Sequence, residues 1–329
     1  MRKKIVVLFV FIICATISSA QNKIKVACIG NSVTYGYLLP DREQNAYPFQ
    51  LQRMLGEKYE VGNFGKSGAT LLSKGHRPYI EQEEYKKALV FAADLVIIHL
   101  GLNDTDPRDW PNFRDDFVRD YINLIASFRK VNPECKIWIC RLSPITSRHS
   151  RFRSGTRDWY GKIQQSIEII AAYADVPIID FEKDLYNHPD LLPDALHPNV
   201  EGANILAKTA YSALTGDFGG LQMPLLYSDN MVLQRNIPLP ITGTANAGEK
   251  VVVKIANQKL TTTTGTDGKW KVTLAPLAVG EKFTLNISTK NRHLIYKNVL
   301  AGEVWVCSGQ SNMAFNLKQA STAQSDIPK

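Results

Sequence analysis

Three residues of the types that together hydrolyse esters occur at opposite ends of the first two hundred positions. Ser32 lies in GNSVTYG, directly after an apolar run, and His197 lies in DALHP, three residues after Asp194. A carboxylate at this spacing can bind the imidazole Nδ1 proton, so that Nε2 acts as a base toward a serine hydroxyl. We predict a triad of Ser32, His197 and Asp194. Taken singly, the serine and the histidine would be ordinary helix caps.

Two further residues could stabilise the negative charge that develops on an ester carbonyl oxygen. Gly68 in KSGAT offers a backbone N–H and tolerates unusual backbone angles, and Asn103 in GLNDTD offers a side-chain amide. Together with the N–H of Ser32 they would form an oxyanion hole. The alternatives are a plain loop at Gly68 and an Asx turn at Asn103.

The elements that would position these residues alternate between short apolar runs and segments of helical period. Five runs rich in Val and Ile indicate buried parallel strands, at residues 25–30, 59–65, 94–101, 136–142 and 176–181. Between them, helical stripes are formed by Phe113, Phe117, Tyr121, Leu124 and Phe128, and by Ile163, Ile167 and Ile170. The pattern predicts an α/β domain whose five-stranded parallel sheet lies between two helical layers. Its crevice would lie beyond the carboxyl ends of the strands.

The second part of the chain has a different pattern. After a predicted linker at GDFGG (216–220), the runs KVVVKI, KWKVTL and FTLNIS indicate antiparallel strands, and Thr266–Asp267–Gly268 indicates a turn between two of them. No helical period occurs before residue 300. We predict the α/β domain over 21–216 and a small β-sandwich over 221–300. Residues 301–329 are expected to be the truncated start of a further domain.

The first twenty residues have the pattern of an export signal. Basic residues precede a short apolar run, and small residues precede Gln21, where we expect cleavage. The remaining chain has 36 basic and 31 acidic residues, a net charge of +5 with no basic tract. We therefore predict a secreted or periplasmic protein with no stable membrane insertion and no nucleic-acid partner. A lipid anchor at Cys14 is disfavoured because Ile13 precedes it.

The mature chain keeps four cysteines, all in or beside apolar runs, which indicates small buried side chains rather than reactive thiols: Cys28, Cys135, Cys140 and Cys307. No metal or cofactor is predicted. The calcium alternative, at Asp104, Asp106 and Asp109, lacks the loop pattern of a calcium-binding hand. The five other histidines lack an Asp-x-x-His arrangement and are expected to be surface or core residues.

Four segments over roughly residues 23–215 resemble, in order, the sequence blocks of the SGNH or GDSL-type hydrolases. They are GNSVTYG with Ser32, the loop with Gly68, GLND with Asn103, and DALH with Asp194 and His197. The resemblance implies a flavodoxin-like three-layer fold, a serine esterase without cofactor, and the residue roles given above. Asn31 departs from the family, which usually has Asp there, and this puts only local hydrogen bonding in doubt.

The segment from LLYSDNMVLQR (225–235) to GEVWVCSGQSNM (302–313) is similar to sialate O-acetylesterases. That resemblance makes Ser311 the nucleophile of a second SGNH-type domain, but no histidine follows it, so this second site is incomplete and Ser311 is expected to be inert. The combination predicts removal of O-acetyl groups from carbohydrates, with an acetylated sialoglycan as the expected substrate.

A basic loop would suit the carboxylate of such a sugar, with Arg148, Arg151 and Arg153 as candidate substrate-binding residues. The alternative for this loop is a solvated surface. Two other functions stay open. A lipid or aryl esterase should expose apolar residues around the crevice, and a glycan-binding module would lack hydrolytic activity.

Overall fold

The computed structural model describes residues 22–150 and 155–327. The predicted signal peptide, with Cys14, and the candidates Arg151 and Arg153 lie outside the described residues. The chain divides into two compact units between Tyr211 and Ser212. Each unit has its own hydrophobic core, as expected of separate domains.

The first unit is built on a five-stranded sheet with the order β2-β1-β3-β4-β5, in which every neighbouring pair is parallel. Its strands are β1 (Ile24–Gly30), β2 (Tyr59–Gly65), β3 (Leu95–His99), β4 (Lys136–Arg141) and β5 (Ile178–Asp180). Each coincides with one of the five apolar runs. The interior of β1 is fully buried from Val26 to Ile29, which explains its uninterrupted apolar sequence. The predicted α/β fold class is confirmed.

Helices connect these strands. They are α1 (Ser32–Tyr35), α2 (Arg42–Asn45), α3 (Tyr47–Leu55), α4 (Glu83–Phe91), α5 (Trp110–Phe113), α6 (Phe117–Val131), α7 (Thr156–Ala174), α8 (Lys183–Tyr186) and α9 (Val200–Thr215). The chain moves from β1 to one edge of the sheet and then back across it, an order that puts helices on both faces when the connections have the usual right-handed sense. Helices α3 and α9 share one face, where the Asn204 amide donates to Gln50 at 2.6 Å.

The apolar stripes face the sheet as predicted, with one difference. Phe117, Tyr121, Leu124 and Phe128 are buried on α6, and Ile163, Ile167 and Ile170 are buried on α7. Phe113 was expected on the same helix as Phe117, but it ends α5, and a 3₁₀ turn at Arg114–Asp116 separates the two helices. Phe113 and Phe117 are still four residues apart across this break, so the hydrophobic periodicity alone could not predict the break.

The second unit contains two sheets. Its strands are β6 (Val232–Gln234), β7 (Leu239–Thr244), β8 (Lys250–Ile255), β9 (Gln258–Thr263), β10 (Lys269–Leu274), β11 (Lys282–Ser288) and β12 (His293–Gly302). Strands β10 and β7 form one sheet, and the other has the order β6-β12-β11-β8-β9. Apolar side chains alternating along β8, β10 and β11 supply much of the core. The turn at Thr266–Gly268 connects strands of different sheets, and β6 pairs with β12 in parallel, which the sequence did not predict.

After β12 the chain continues through two short helices, α10 (Ser311–Ala314) and α11 (Ala323–Asp326). Trp305 is 82% exposed and Val306 is 91% exposed in the segment that precedes them. Cys307 is exposed there, so the expectation that it is buried was wrong, whereas Cys28, Cys135 and Cys140 are buried as expected. Among the described helices, none has the length and apolar character needed to cross a membrane.

Candidate active site

Ser32 is presented by a sharp turn at the carboxyl end of β1. A Cβ added to Gly30 would lie 2.0 Å from the Thr34 Oγ1, so only glycine fits where the strand passes into α1. Asn31 caps this helix, because its Oδ1 accepts a hydrogen bond from the Val33 N–H at 2.9 Å. Asn31 therefore still caps the helix, although the family usually has Asp at this position. The hydroxyl of Ser32 is not used for capping.

The Ser32 hydroxyl instead forms a hydrogen bond with a residue of the loop before α9. It lies 2.8 Å from the Nε2 of His197, and the Nδ1 of His197 lies 2.6 Å from the Oδ2 of Asp194. An ionised carboxylate can only accept, so Nδ1 carries the proton, Nε2 accepts, and the serine O–H donates to it. The serine and the histidine are 8% and 9% exposed, so both are largely buried but still reach the surface.

The backbone fixes Asp194 as firmly as the imidazole does. Its Oδ1 accepts hydrogen bonds from the N–H groups of Leu196 at 3.1 Å and His197 at 2.7 Å. Partial burial works against the charged carboxylate, but the hydrogen bonds and the imidazole beside it prevail and hold the pKa of Asp194 below its ordinary value. The carboxylate is therefore ionised at neutral pH and can stabilise an imidazolium.

The predicted oxyanion donors lie at the ends of β2 and β3. Gly68 has φ +80°, a left-handed conformation that other residues adopt only with strain. Within the described part of the chain, its N–H donates to no acceptor. Asn103 begins a buried 3₁₀ turn, Asn103–Thr105, and one hydrogen of its Nδ2 donates to the Ala69 carbonyl at 3.0 Å. The second hydrogen remains available for a ligand.

Buried carboxylates that sequence reasoning did not assign hold the Gly68 loop in place. Asp104 accepts the N–H groups of Leu71 at 2.9 Å and Leu72 at 2.8 Å. Asp120 accepts the N–H of Ser73 at 2.8 Å, and Asp109 accepts that of His76 at 2.7 Å. Complete burial raises the pKa of Asp104 to about 7, although these backbone donors work in the opposite direction. The only sequence signal was the density of Asp after Asn103.

The same bonds bear on the calcium alternative. Both oxygens of Asp104 accept backbone N–H groups, and Arg108 donates to both oxygens of Asp106, at 2.9 and 3.0 Å. His76, expected to be an ordinary histidine, binds Asp109 through Nδ1 at 2.6 Å. Possible ligand atoms of His76, Asp106 and Asp109 do lie within 4.8 Å of one another. Asp104 and Asp109 therefore hold the loop that follows Gly68, whereas Asp106 binds Arg108 within its own turn.

Cations and apolar groups also border this region. Arg148 is exposed and donates to the carbonyl of Pro189 at 2.8 Å. Arg77, which the sequence did not single out, donates to the Ser67 carbonyl at 2.9 Å, and its Nη1 lies 3.1 Å from where a Cβ of Gly68 would be. Tyr37 packs on His197 with ring centroids 4.9 Å apart.

The second serine with a family-like sequence has different surroundings. Ser311 is the first residue of α10 and is exposed. Within the residues that the structure describes, no histidine is bonded to its hydroxyl. Its inertness in this chain therefore stays a prediction that the geometry supports.

Comparison with known proteins gives a family and a set of relatives. The model of the GDSL-like Lipase/Acylhydrolase family matches residues 28–205, which is more than half of the chain. An acetylxylan esterase of Xylanibacter ruminicola is 32% identical over 212 residues, covering 59% of this chain and 44% of that protein. A sialate O-acetylesterase of Rattus norvegicus is 34% identical over 113 residues, covering 31% and 21%. This chain thus spans less than half the length of these relatives.

Solved structures resemble the chain more distantly. An acetyl xylan esterase, AlAXEase, is 22% identical with a TM-score of 0.46, covering 58% of this chain and 100% of that one. The inhibitor-bound aryl esterase of M. smegmatis is 18% identical with a TM-score of 0.47, covering 59% and 98%. The resemblance to SGNH and GDSL-type hydrolases, inferred from four short blocks, is confirmed by the family match.

Proposed function

The chain belongs to the GDSL-like lipase and acylhydrolase family, and on that premise we propose that its first unit is a serine esterase that removes O-acetyl groups from carbohydrates. The observation that carries the proposal is the continuous chain of hydrogen bonds from Ser32 through His197 to Asp194. Beside it lie three donors suited to an oxyanion, namely the N–H groups of Ser32 and Gly68 and the Asn103 amide.

The proposed reaction proceeds in two steps. Ser32 Oγ attacks the acetyl carbonyl carbon while His197 Nε2 takes the hydroxyl proton, and the same proton then passes to the departing alkoxide oxygen of the sugar. Water attacks the resulting acetyl-serine, with His197 again as base, and releases acetate. Asp194 stabilises the imidazolium in both steps, and the three donors stabilise each tetrahedral oxyanion.

The carbohydrate assignment is supported by the relatives, which are acetylesterases of xylan and of sialic acid. Our finer proposal is a sialic acid ester. Its carboxylate would suit Arg77, an exposed cation beside Gly68, and Arg148, whose guanidinium donates to the Pro189 carbonyl, remains a second candidate. Acetylated xylan is neutral and would form no ion pair with these side chains. We further propose that the protein is exported through its predicted signal peptide.

Three substrates offered in parallel test the proposal: 9-O-acetylated sialic acid, acetylated xylan and a lysophospholipid. We expect acetate to be released from an acetylated sugar, fastest from the sialic acid ester, and no release by the Ser32→Ala variant. Release of fatty acid from the lysophospholipid, with neither sugar cleaved, would contradict a carbohydrate esterase. Preference for xylan would contradict only the sialic acid assignment.

A second candidate, an aryl or lipid esterase, is favoured by one observation. Tyr37 is 46% exposed and packs on His197, so a large, partly apolar side chain lies beside the proposed triad. This was the feature expected of such an enzyme. Longer acyl chains are the discriminating substrates, because an esterase built for acetyl groups loses activity as the acyl chain grows.

A further inference from the structure

An exposed aromatic side chain lies against the histidine of the proposed triad. The segment after α1 turns sharply, with φ +89° at Gly36 and φ +66° at Leu38. The Tyr37 N–H donates to the Ser32 carbonyl at 2.9 Å, which ties this turn to the helix that carries the proposed nucleophile. A left-handed leucine costs conformational energy, and such strain is concentrated at functional sites. The strained turn presents Tyr37 and Leu38 to solvent.

The reaction gives the two sides of Ser32 different roles. The oxyanion must point toward Gly68 and Asn103, whereas the alcohol oxygen must lie within reach of the His197 Nε2 that protonates it. Tyr37 packs on His197 at 4.9 Å between centroids, with the rings inclined by 57°. Tyr37 thus lies beside the group that protonates the alcohol oxygen, and we place the alcohol part of the ester next to it.

A pyranose ring has the chemistry to use this surface. Its axial C–H groups form an apolar face, while its hydroxyl groups project around the rim, so a rigid aromatic ring can cover the face and leave the rim hydrated. We propose that Tyr37 is the platform on which the sugar ring of the substrate stacks, a specificity residue for carbohydrate over simple alcohols. This rests on the proposed function.

Kinetics with a mono-O-acetylated methyl pyranoside, methyl acetate and phenyl acetate test the platform. In Tyr37→Ala we expect kcat/KM for the pyranoside to fall about tenfold, through KM, as for the loss of one aromatic contact. Methyl acetate has no ring to stack, so its kcat/KM should fall severalfold less than that of the pyranoside, whatever loss of the ring beside His197 does to both. Tyr37→Phe should keep the activity on both substrates, and Leu38→Ala is the matched control for an exposed apolar neighbour.

The outcomes distinguish failure of the stacking proposal from failure of the proposed esterase function. An equal fall on the pyranoside and methyl acetate would overturn the platform, because Tyr37 would then only position His197. No change on either substrate would also overturn it, and a loss confined to phenyl acetate would assign the ring to aromatic alcohols. If the wild type cleaves methyl acetate but not the pyranoside, the proposed carbohydrate function itself fails.

Discussion

At the scale of single residues, the site consists of groups whose orientation is fixed before any substrate arrives. Asp194 is held by two backbone N–H groups and orients His197 through a 2.6 Å bond. Asn103 is held by the carbonyl of Ala69, which aims the rest of its amide. Such preorganised groups need little rearrangement as charge develops in the transition state, which is the main source of electrostatic catalysis.

Replacement of Asn103 tests the oxyanion hole. Asn103→Ala removes one donor, so kcat should fall by about 10²–10³ with little change in KM. The measurement is steady-state kinetics with methyl acetate, accompanied by circular dichroism to establish that the variant is folded. Asn112→Ala is a matched control, since that exposed amide donates only to the carbonyl of Arg108. A variant as fast as the wild type would exclude Asn103 from this role.

At the scale of elements, buried carboxylates hold together the loops of the proposed oxyanion hole. The loop with Gly68 and the turn with Asn103 follow different strands, and Asp104 joins them through the backbone of Leu71 and Leu72. The strands were predictable because apolar residues dominate four of the five runs, and β2 (YEVGNFG) still has Tyr59, Val61 and Phe64 at alternating or nearby positions. The hydrogen bonds of Asp104 were not predictable, because tertiary packing decides which loops meet. An Asp that accepts N–H groups distant in sequence occurs in no characteristic sequence pattern.

The pH dependence of stability tests the buried Asp104 carboxylate. Burial raises its pKa from 3.8 to about 7, so the folded protein keeps a proton that the unfolded chain has already released. The stabilisation from this proton is fully present below about pH 4 and is lost as the pH rises through about 7. Asp104→Asn has no such titration, so the Tm of wild type minus that of the variant should decrease across this window.

Differential scanning calorimetry at several pH values measures that difference. Asp115→Asn is the control for the loss of one carboxylate, because the Asp115 side chain is 96% exposed. A difference between wild type and Asp104→Asn that stays constant from about pH 4 to pH 8 would contradict the proton uptake inferred for the buried carboxylate.

At the scale of the whole molecule, the proposed chemistry belongs to one of two units. Ser32, His197 and Asp194 all precede Tyr211, the last residue of the first unit, whereas β6 to β12 belong to the second. The change in sequence pattern near residue 216 predicted two domains. It could not predict how seven strands divide between two sheets, because strand pairing is set by contacts distant in sequence.

A substitution confined to the second core tests this division of roles. Ile287 is fully buried in the second unit, and Ile287→Ala should destabilise that unit by about 2–5 kcal/mol. Activity on methyl acetate, measured well below the unfolding temperature, should stay within about twofold of wild type. Ile167→Ala, an equally buried position on α7, should instead lower the temperature at which activity is lost. Inactivity of a folded Ile287→Ala protein would link the second unit to catalysis.

Labelling with a fluorophosphonate measures most directly which serine performs the chemistry. The reagent reacts with a serine activated by an adjacent base, and Ser32 has one at 2.8 Å. Tryptic peptides should carry one label, on residues 26–42, and none on residues 298–318, which contain Ser311. Ser32→Ala should abolish both labelling and turnover, and Ser311→Ala should leave both unchanged. Labelling at Ser311, or turnover that survives Ser32→Ala, would contradict the account.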